Sequence, residues 1–140
     1  MTAKPVLFVH PPLPLFEAQL GQYEIVHWPT DRADITAAVG IGSIGMPNEM
    51  IAALPGLKTI ACFAVGVDGF DLDFLKARGI ALTNGANINH EDVADVALGL
   101  MIAVARRFSE GERVVRSGHW AVPLAVPPQR RLRGRNLGIV

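Results

Sequence analysis

One stretch decides the fold of this chain: it runs Thr59-Ile60-Ala61-Cys62-Phe63-Ala64 and continues as Val65-Gly66-Val67-Asp68-Gly69. A near-continuous apolar run that ends in a glycine-containing loop is typical of a strand covered on both faces of a parallel sheet. Open sheets of this kind bind ligands at the carboxyl ends of their strands. The loop from Val65 to Gly69 is therefore the first candidate for a binding site.

Short apolar runs alternate with helical or polar stretches on both sides of this segment, and the alternation predicts an α/β fold. The predicted strands are Val6–His10, Glu24–Trp28, Ala37–Ile41, Thr59–Ala64, Ile80–Thr83 and Leu137–Val140. The predicted helices are Leu15–Leu20, Asn48–Leu54, Leu72–Arg78 and one long helix from Glu91 to about Arg116. Gly79 is placed to end the third helix and Asn89 to cap the fourth.

The link between the second and third predicted strands, from Trp28 to Ala37, is eight residues, which is short for a parallel crossover. Either one helix is reduced to a turn there, or the strand boundaries differ from those predicted.

The apolar run Leu137–Val140 follows a polar, glycine-containing segment, as the first strand of a βαβ mononucleotide unit does. The G-x-G-x-x-G turn that identifies such a unit would begin only after Val140. We expect a full-length chain to continue with that turn. The residues alone leave open whether this is a complete small protein or the front part of a larger enzyme.

The composition predicts a cytoplasmic, soluble protein without membrane contact. With 140 residues, 50% of them hydrophobic and 19% charged, the chain can bury one domain-sized core. Its single cysteine, Cys62, excludes an internal disulfide and favours a reducing compartment. The N-terminus lacks a signal-peptide pattern, and the longest apolar stretch, residues 93–105, is too short to span a bilayer.

The net charge of zero hides an asymmetry, because residues 1–105 carry 5 basic and 11 acidic side chains whereas residues 106–140 carry 8 arginines and 2 glutamates. Such a split can mark a nucleic-acid-binding arm. The arginine-rich segment 130–135 lacks the interleaved aromatic side chains that stack on bases. We therefore expect a solvated loop or a contact with another domain, and no nucleic-acid partner.

Three loops should emerge at the carboxyl edge of the sheet: His10-Pro11-Pro12, Gly42-Ser43-Ile44-Gly45 and Val65-Gly66-Val67-Asp68-Gly69. Their glycines let backbone N–H groups approach a small anion and form a nest. Glycine is also a common turn former after strands, so an ordinary turn remains the alternative.

The histidines are weak candidates for catalysis. His10 stands at a strand end facing the expected site and is open as a substrate contact, whereas structural or surface roles are favoured for His90 and His119.

We expect no metal site and no reactive thiol. The i, i+3, i+5 spacing of Asp68, Asp71 and Asp73 lacks the further oxygen donors of a cation site, so turn and cap roles for Asp68 and Asp71 are favoured. We expect Cys62 to be a small hydrophobic residue inside its strand.

Several runs, in order, make the sequence similar to the N-terminal part of the D-isomer-specific 2-hydroxyacid dehydrogenases, and within them to hydroxypyruvate, glyoxylate and hydroxyphenylpyruvate reductases. The matching runs are Phe63–Leu72, Arg78–Asn84, Glu91–Leu100, Arg106–Phe108, Val115–Trp120 and Leu132–Val140. The likeness is good over residues 37–140 and looser over the first 36.

The resemblance implies two domains. Residues 1–86 would form a flavodoxin-like substrate domain, a parallel sheet with helices on both faces. Residues 87–140 would be the incomplete start of a Rossmann NAD(P)-binding domain, made of a helix, a loop and a first strand. By the same resemblance, the helix from Glu91 to Arg116 supplies much of a homodimer interface.

The resemblance also implies site residues. The backbone amides of Val65 and Gly66 would hold the substrate carboxylate, Ser43 would lie across the cleft, and Val93 would sit near the nicotinamide. The reaction implied is hydride transfer from NADPH or NADH to a short 2-oxo acid such as hydroxypyruvate or glyoxylate. The family's catalytic residues and glycine-rich fingerprint would all follow Val140. We therefore expect no catalytic residue, no tight cofactor binding and no activity in this 140-residue chain alone.

The first hypothesis is thus the N-terminal part of an NAD(P)H-dependent 2-hydroxyacid dehydrogenase. The second is a free-standing flavodoxin-like module that binds a small anion or a partner protein and catalyses nothing, and a third, weaker one is a basic-armed nucleic-acid binder. The coding sequence beyond Val140 would separate the first two.

Overall fold

The computed structural model describes residues 4–139. The chain divides into two compact units, Met1–Ile88 and Asn89–Val140. The boundary between the units falls after Ile88, whereas the predicted domain boundary falls after residue 86.

The first unit is built on a five-stranded parallel sheet with strand order β2-β1-β3-β4-β5. Its strands are β1 (Val6–His10), β2 (Glu24–Val26), β3 (Ala37–Gly40), β4 (Thr59–Cys62) and β5 (Ala81–Thr83). Its helices are α1 (Pro14–Glu17), α2 (Asn48–Ala52) and α3 (Leu72–Ala77). The predicted α/β class and the first five predicted strands are confirmed, with most elements one to three residues shorter than predicted.

The main core lies on one face of the sheet. Phe8, Ala38 and Ile60 stand side by side in the register of three central strands and are at most 1% exposed. Side chains from α2, α3 and the adjoining loops cover them: Met46, Met50, Ile51, Leu54, Leu57, Phe70, Leu75 and Ile80. Burying this many apolar side chains is the largest stabilising contribution to the unit.

The opposite face is covered only in part. Leu7, Val9 and Val39 are buried under Leu13, Phe16 and other side chains around α1. Ala61 and Thr83, which continue the row of Val9 and Val39 across the sheet, are exposed. This face therefore ends in an uncovered surface on β4 and β5.

The short link after β2 contains no helix. Residues 27–36 join β2 to β3 through turns and bends, and β2 ends at Val26 rather than Trp28. Both explanations of the short crossover are thus correct.

The residues predicted to begin and end the third helix, α3, do so in the structure. Asp71 caps this helix, with its side chain accepting a hydrogen bond of 2.9 Å from the Phe74 N–H. Gly79 follows the helix with φ of +66°, a left-handed conformation that glycine adopts without strain.

The second unit corrects the prediction of one long helix. It contains α4 (His90–Ala105) and α5 (Phe108–Arg116), separated by Arg107 in a left-handed conformation with φ of +53°. Residues 105–107 are alanine and arginines, which favour a helix, and no glycine or proline marks the break, so local periodicity could not reveal it. Asn89 occupies the predicted cap position of α4, although its side chain makes no capping hydrogen bond.

The predicted strand Leu137–Val140 is also wrong over the described residues. Residues 137–139 form no strand, and Leu137 and Ile139 are 64% and 90% exposed; Val140 lies outside the described residues. A strand needs a hydrogen-bonded neighbour, and the described part of the second unit contains only helices and loops. Within residues 4–139, no helix is long and apolar enough to cross a membrane.

We expect Ile60→Ala to lower the free energy of unfolding by about 2–5 kcal/mol, because it removes apolar atoms and leaves a cavity in the centre of the sheet. Urea denaturation followed by circular dichroism measures this change. Leu15→Ala is the control: Leu15 is 89% exposed, so its truncation should cost less than about 0.5 kcal/mol. Equal costs at the two positions would contradict the core described above.

Candidate functional site

The loops after β3 and β4 touch through their backbones. The Gly69 N–H donates a 2.7 Å hydrogen bond to the Gly42 carbonyl oxygen. A Cβ atom placed on Gly42 would lie 1.7 Å from the Gly66 carbonyl oxygen, and one placed on Gly45 would lie 1.5 Å from that of Gly69. No side chain fits between loops this close, so the contact requires the glycines.

Three successive carbonyl groups at the start of the loop after β4 accept hydrogen bonds from the protein. The Gly85 N–H donates 2.8 Å to Ala64 O, and Asn84 Nδ2 donates 2.6 Å to Val65 O. Cys62 Sγ donates to Gly66 O over 3.4 Å. Three successive carbonyls are thus fixed by groups from β4 and from the segment after β5.

The N–H groups of the same peptides are left available. A trans peptide is planar and points its N–H away from its C=O, so fixing the three carbonyls turns the N–H groups of Val65, Gly66 and Val67 the other way. Within residues 4–139 these three groups donate no hydrogen bond. Val65 and Gly66 are exposed. Successive free N–H groups form a concavity suited to a small anion.

The loop itself supplies no positive charge. Residues 63–70 contain no lysine or arginine, and their one charged side chain is Asp68. An Asp68 carboxylate oxygen lies 3.1 Å from where a Cβ on Gly66 would stand. Dipoles of neutral N–H groups therefore provide the attraction here, and a bound carboxylate needs a cation from elsewhere to offset its charge.

The remaining predicted site residues lie in both units. Ser43 is exposed beside Gly42 in a turn closed by hydrogen bonds from the Ile44 and Gly45 N–H groups to Ile41 O, so its loop adjoins that of Val65 and Gly66. Val93, in the first turn of α4, belongs to the second unit and is 58% exposed.

The histidines occupy the predicted positions. His10 is half-buried at the carboxyl end of β1, and burial lowers the pKa of its imidazole below the ordinary value. It is therefore neutral at pH 7. His90 begins α4, and the exposed His119 lies 2.9 Å from Ser117 Oγ through its Nδ1.

The other candidate groups also have structural roles. Cys62 is buried, and burial raises the pKa of its thiol, so it stays protonated and donates to the loop rather than acting as a thiolate. The described residues contain no group of three His, Cys, Asp or Glu side chains that could hold a metal ion.

An apolar depression of about 500 Å³ lies beside β4 and α1. It is lined by Leu13, Pro14, Leu15, Phe16, Gln19 and Phe63. The Phe16 and Phe63 rings are tilted by 37° with their centroids 4.8 Å apart. Because Phe63 directly precedes the loop that begins at Ala64, the loop lies beside an apolar surface.

Sequence reasoning missed the residues that hold the loop in place. Asn84 and Cys62 act on it by hydrogen bonds, and Gly42, Gly45 and Gly69 let the two loops meet. The same three-residue spacing of glycine in both loops was the one available signal. Contacts between residues far apart in sequence leave no local pattern.

Comparison with known proteins gives the same family over most of the chain. The family description "D-isomer specific 2-hydroxyacid dehydrogenase, catalytic domain" matches residues 18–123. A glyoxylate/hydroxypyruvate reductase of Arabidopsis thaliana is 38% identical over 113 residues, covering 81% of this chain and 35% of that protein. A 2-ketogluconate reductase of Gluconobacter oxydans is 33% identical over 147 aligned residues, covering 99% of this chain and 47% of that protein.

Solved structures of similar fold agree. A 2-hydroxyacid dehydrogenase from Ketogulonicigenium vulgare superimposes with a TM-score of 0.82 and 29% identity, over 96% of this chain and 46% of that one. An NADPH-dependent glyoxylate/hydroxypyruvate reductase from Sinorhizobium meliloti gives a TM-score of 0.80 and 30% identity, over 96% and 45%. The chain thus spans less than half the length of these relatives.

We expect Gly42→Ala to unfold or strongly destabilise the first unit, because its Cβ would collide with the Gly66 backbone. Gly66→Ala meets only the movable end of the Asp68 side chain at 3.1 Å, so it should change the free energy of unfolding by less than about 1 kcal/mol. Urea denaturation of both variants measures the difference. A Gly42→Ala protein as stable as Gly66→Ala would contradict the close approach of the two loops.

Proposed function

Because this chain belongs to the D-isomer specific 2-hydroxyacid dehydrogenase family, we propose that its first unit is the substrate-binding part of a reductase that converts short 2-oxo acids to 2-hydroxy acids with NADPH or NADH. The observation that carries this proposal is the loop after β4, where three carbonyls are tied to the protein and the N–H groups of Val65 and Gly66 are free.

We propose that these two N–H groups bind the substrate carboxylate. Hydrogen bonds to a charged acceptor contribute about 1.5–3 kcal/mol each, so two of them can orient a small acid without a basic side chain in the loop. The Ser43 hydroxyl, on the adjoining loop, contacts the substrate from the other side in this proposal. Glyoxylate and hydroxypyruvate are the proposed substrates, since relatives carry these names.

The described residues do not form a dinucleotide site by themselves. Within residues 4–139 the second unit has no strand that leads into a glycine-rich phosphate turn. The nicotinamide cofactor, which supplies the hydride in the proposed reaction, is assigned to the full-length enzyme, with the exposed Val93 side chain as its one proposed contact here. No catalytic residue is proposed in this chain, and a cytoplasmic location stays a prediction.

We further propose that α4 forms a homodimer interface. None of its residues is buried, and one face of the helix carries large apolar side chains that are more than half exposed: Val93, Val96, Leu100 and Val104. Monomeric proteins seldom expose a continuous apolar stripe of this kind. Arg130 lies at the end of this helix, where its N–H donates 3.0 Å to Ala105 O.

The function is tested with Gly66→Val in the protein as its native gene encodes it. We expect kcat/KM for glyoxylate or hydroxypyruvate to fall tenfold or more, since the loss of one charge-assisted hydrogen bond corresponds to about that factor. The added bulk stands where the carboxylate is proposed to bind. The dissociation constant for NADPH, measured by fluorescence, should not change.

Val67→Ala is the control for this experiment and should have a mild effect, because it alters the neighbouring side chain without filling the anion site. If Gly66→Val leaves kcat/KM unchanged, or lowers it only by unfolding the protein, the loop is a structural turn. A native protein that binds small anions but oxidises no NAD(P)H would instead favour the non-catalytic module.

The dimer is tested with Leu100→Asp, which places a charge in the apolar stripe of α4. We expect this variant to sediment as a monomer at micromolar concentration where the native protein sediments as a dimer, because a buried unpaired carboxylate opposes association. Leu98→Asp, on the opposite side of the same helix, is the control and should leave the dimer intact. A monomeric native protein would end the proposal.

A further inference from the structure

Asn84 contacts the loop proposed to bind the substrate carboxylate, residues 64–67, from the segment that follows β5. It follows β5 directly, and its side-chain amide donates a 2.6 Å hydrogen bond to the carbonyl oxygen of Val65, 19 residues earlier. The next residue, Gly85, holds the preceding carbonyl, Ala64 O, through its backbone N–H. The end of β5 thus fixes two consecutive peptides of the loop.

The peptide held by Asn84 is the one that carries the Gly66 N–H. Since a peptide is planar, its N–H turns whenever its carbonyl turns. Within residues 4–139 no other group donates a hydrogen bond to Val65 O. Among the hydrogen bonds of this peptide in the described part of the chain, the one from the Asn84 side chain is therefore the direct restraint on the direction of the Gly66 N–H.

The neighbouring peptides are held differently. Ala64 O is bonded to the backbone N–H of Gly85, which every substitution at position 85 except proline leaves in place. Gly66 O receives only the long contact from the Cys62 thiol, at 3.4 Å, and thiols are weak donors. Of these three hydrogen bonds, the one from Asn84 is both short and removable by substitution of a side chain.

We propose that Asn84 is a positioning residue of the reductase: its side-chain amide holds the Val65 carbonyl and thereby aims the Gly66 N–H at the substrate carboxylate. This inference rests on the proposed function and deepens it. Asn84 touches no substrate in this role; it acts through the peptide plane. An asparagine suits the task because it is a neutral donor, whereas an aspartate of the same size would present a charged acceptor to the carbonyl oxygen.

The same geometry predicts which measurements change. Substrate and other small carboxylates use the Gly66 N–H, so their binding should weaken when the peptide is free to turn. The cofactor does not use it. Because Asn84 and Val65 are both exposed, losing their hydrogen bond should have little effect on folding.

The experiment compares Asn84→Ala and Asn84→Asp with the native protein at the length its gene encodes. It measures KM and kcat for glyoxylate, the dissociation constant of malonate as a simple carboxylate probe, the dissociation constant of NADPH, and Tm. We expect both variants to raise KM and the malonate dissociation constant in parallel by about five- to twentyfold, because the charge-assisted hydrogen bond from the Gly66 N–H would be misdirected. NADPH binding should be unchanged, and Tm should shift by less than about 3 °C.

Asn48→Ala is the matched control. It also deletes an asparagine side-chain hydrogen bond in this unit, the 2.8 Å bond from Asn48 Nδ2 to the Asp71 carboxylate, but this bond joins the starts of α2 and α3 and does not involve the peptides of residues 64–67. Its KM and malonate binding should equal those of the native protein. Changes as large as those at Asn84 would show a general effect of loosened structure and overturn the inference.

Other outcomes are equally decisive. Unchanged malonate binding in Asn84→Ala and Asn84→Asp overturns the positioning role, as does a loss of NADPH binding that accompanies the loss of malonate binding. If Asn84→Ala fails to fold, the Asn84→Asp variant supplies the measurement. A native protein that binds malonate but reduces no 2-oxo acid refutes the proposed reaction while the malonate comparison still tests Asn84.

Discussion

The close approach of two backbone loops is the constraint on which the candidate site depends. The Gly69 N–H bonds to Gly42 O, and neither Gly42 nor Gly45 has room for a side chain. This contact joins the carboxyl ends of β3 and β4 without any side chain between them. The glycines permit this contact because they have no Cβ atom. The close packing also fixes the exposed loop to the end of the buried sheet.

Rigidity matters because the proposed chemistry uses backbone groups. N–H dipoles bind an anion well only when they are already aimed at it, since alignment during binding would cost conformational entropy. The structure aligns them indirectly, by holding the opposite ends of the same peptides from β4 and from the segment after β5. Because segment 63–70 has no basic residue, a carboxylate bound at the proposed site would also need a cation from outside this segment to offset its charge.

The two units differ in how much of their apolar surface they bury. The first has a core whose central residues, such as Phe8 and Ile60, are fully buried. The second has two helices with no buried residue and an apolar stripe in contact with water. A helix of this kind gains most of its stability from packing rather than from intrinsic propensity, which is why α4 is the proposed interface.

The sequence by itself determined the α/β class, the first five strands, the caps at Asp71 and Gly79, and the loop that carries Val65 and Gly66, because apolar runs and glycine turns are local signals. Only the tertiary structure decided the break at Arg107 and the lack of a strand at residues 137–139, since a helix end without a breaker and a strand without a neighbour depend on their surroundings. It also decided the contact of Asn84 with the Val65 carbonyl: a hydrogen bond between residues 19 positions apart exists only once β4 and β5 lie side by side.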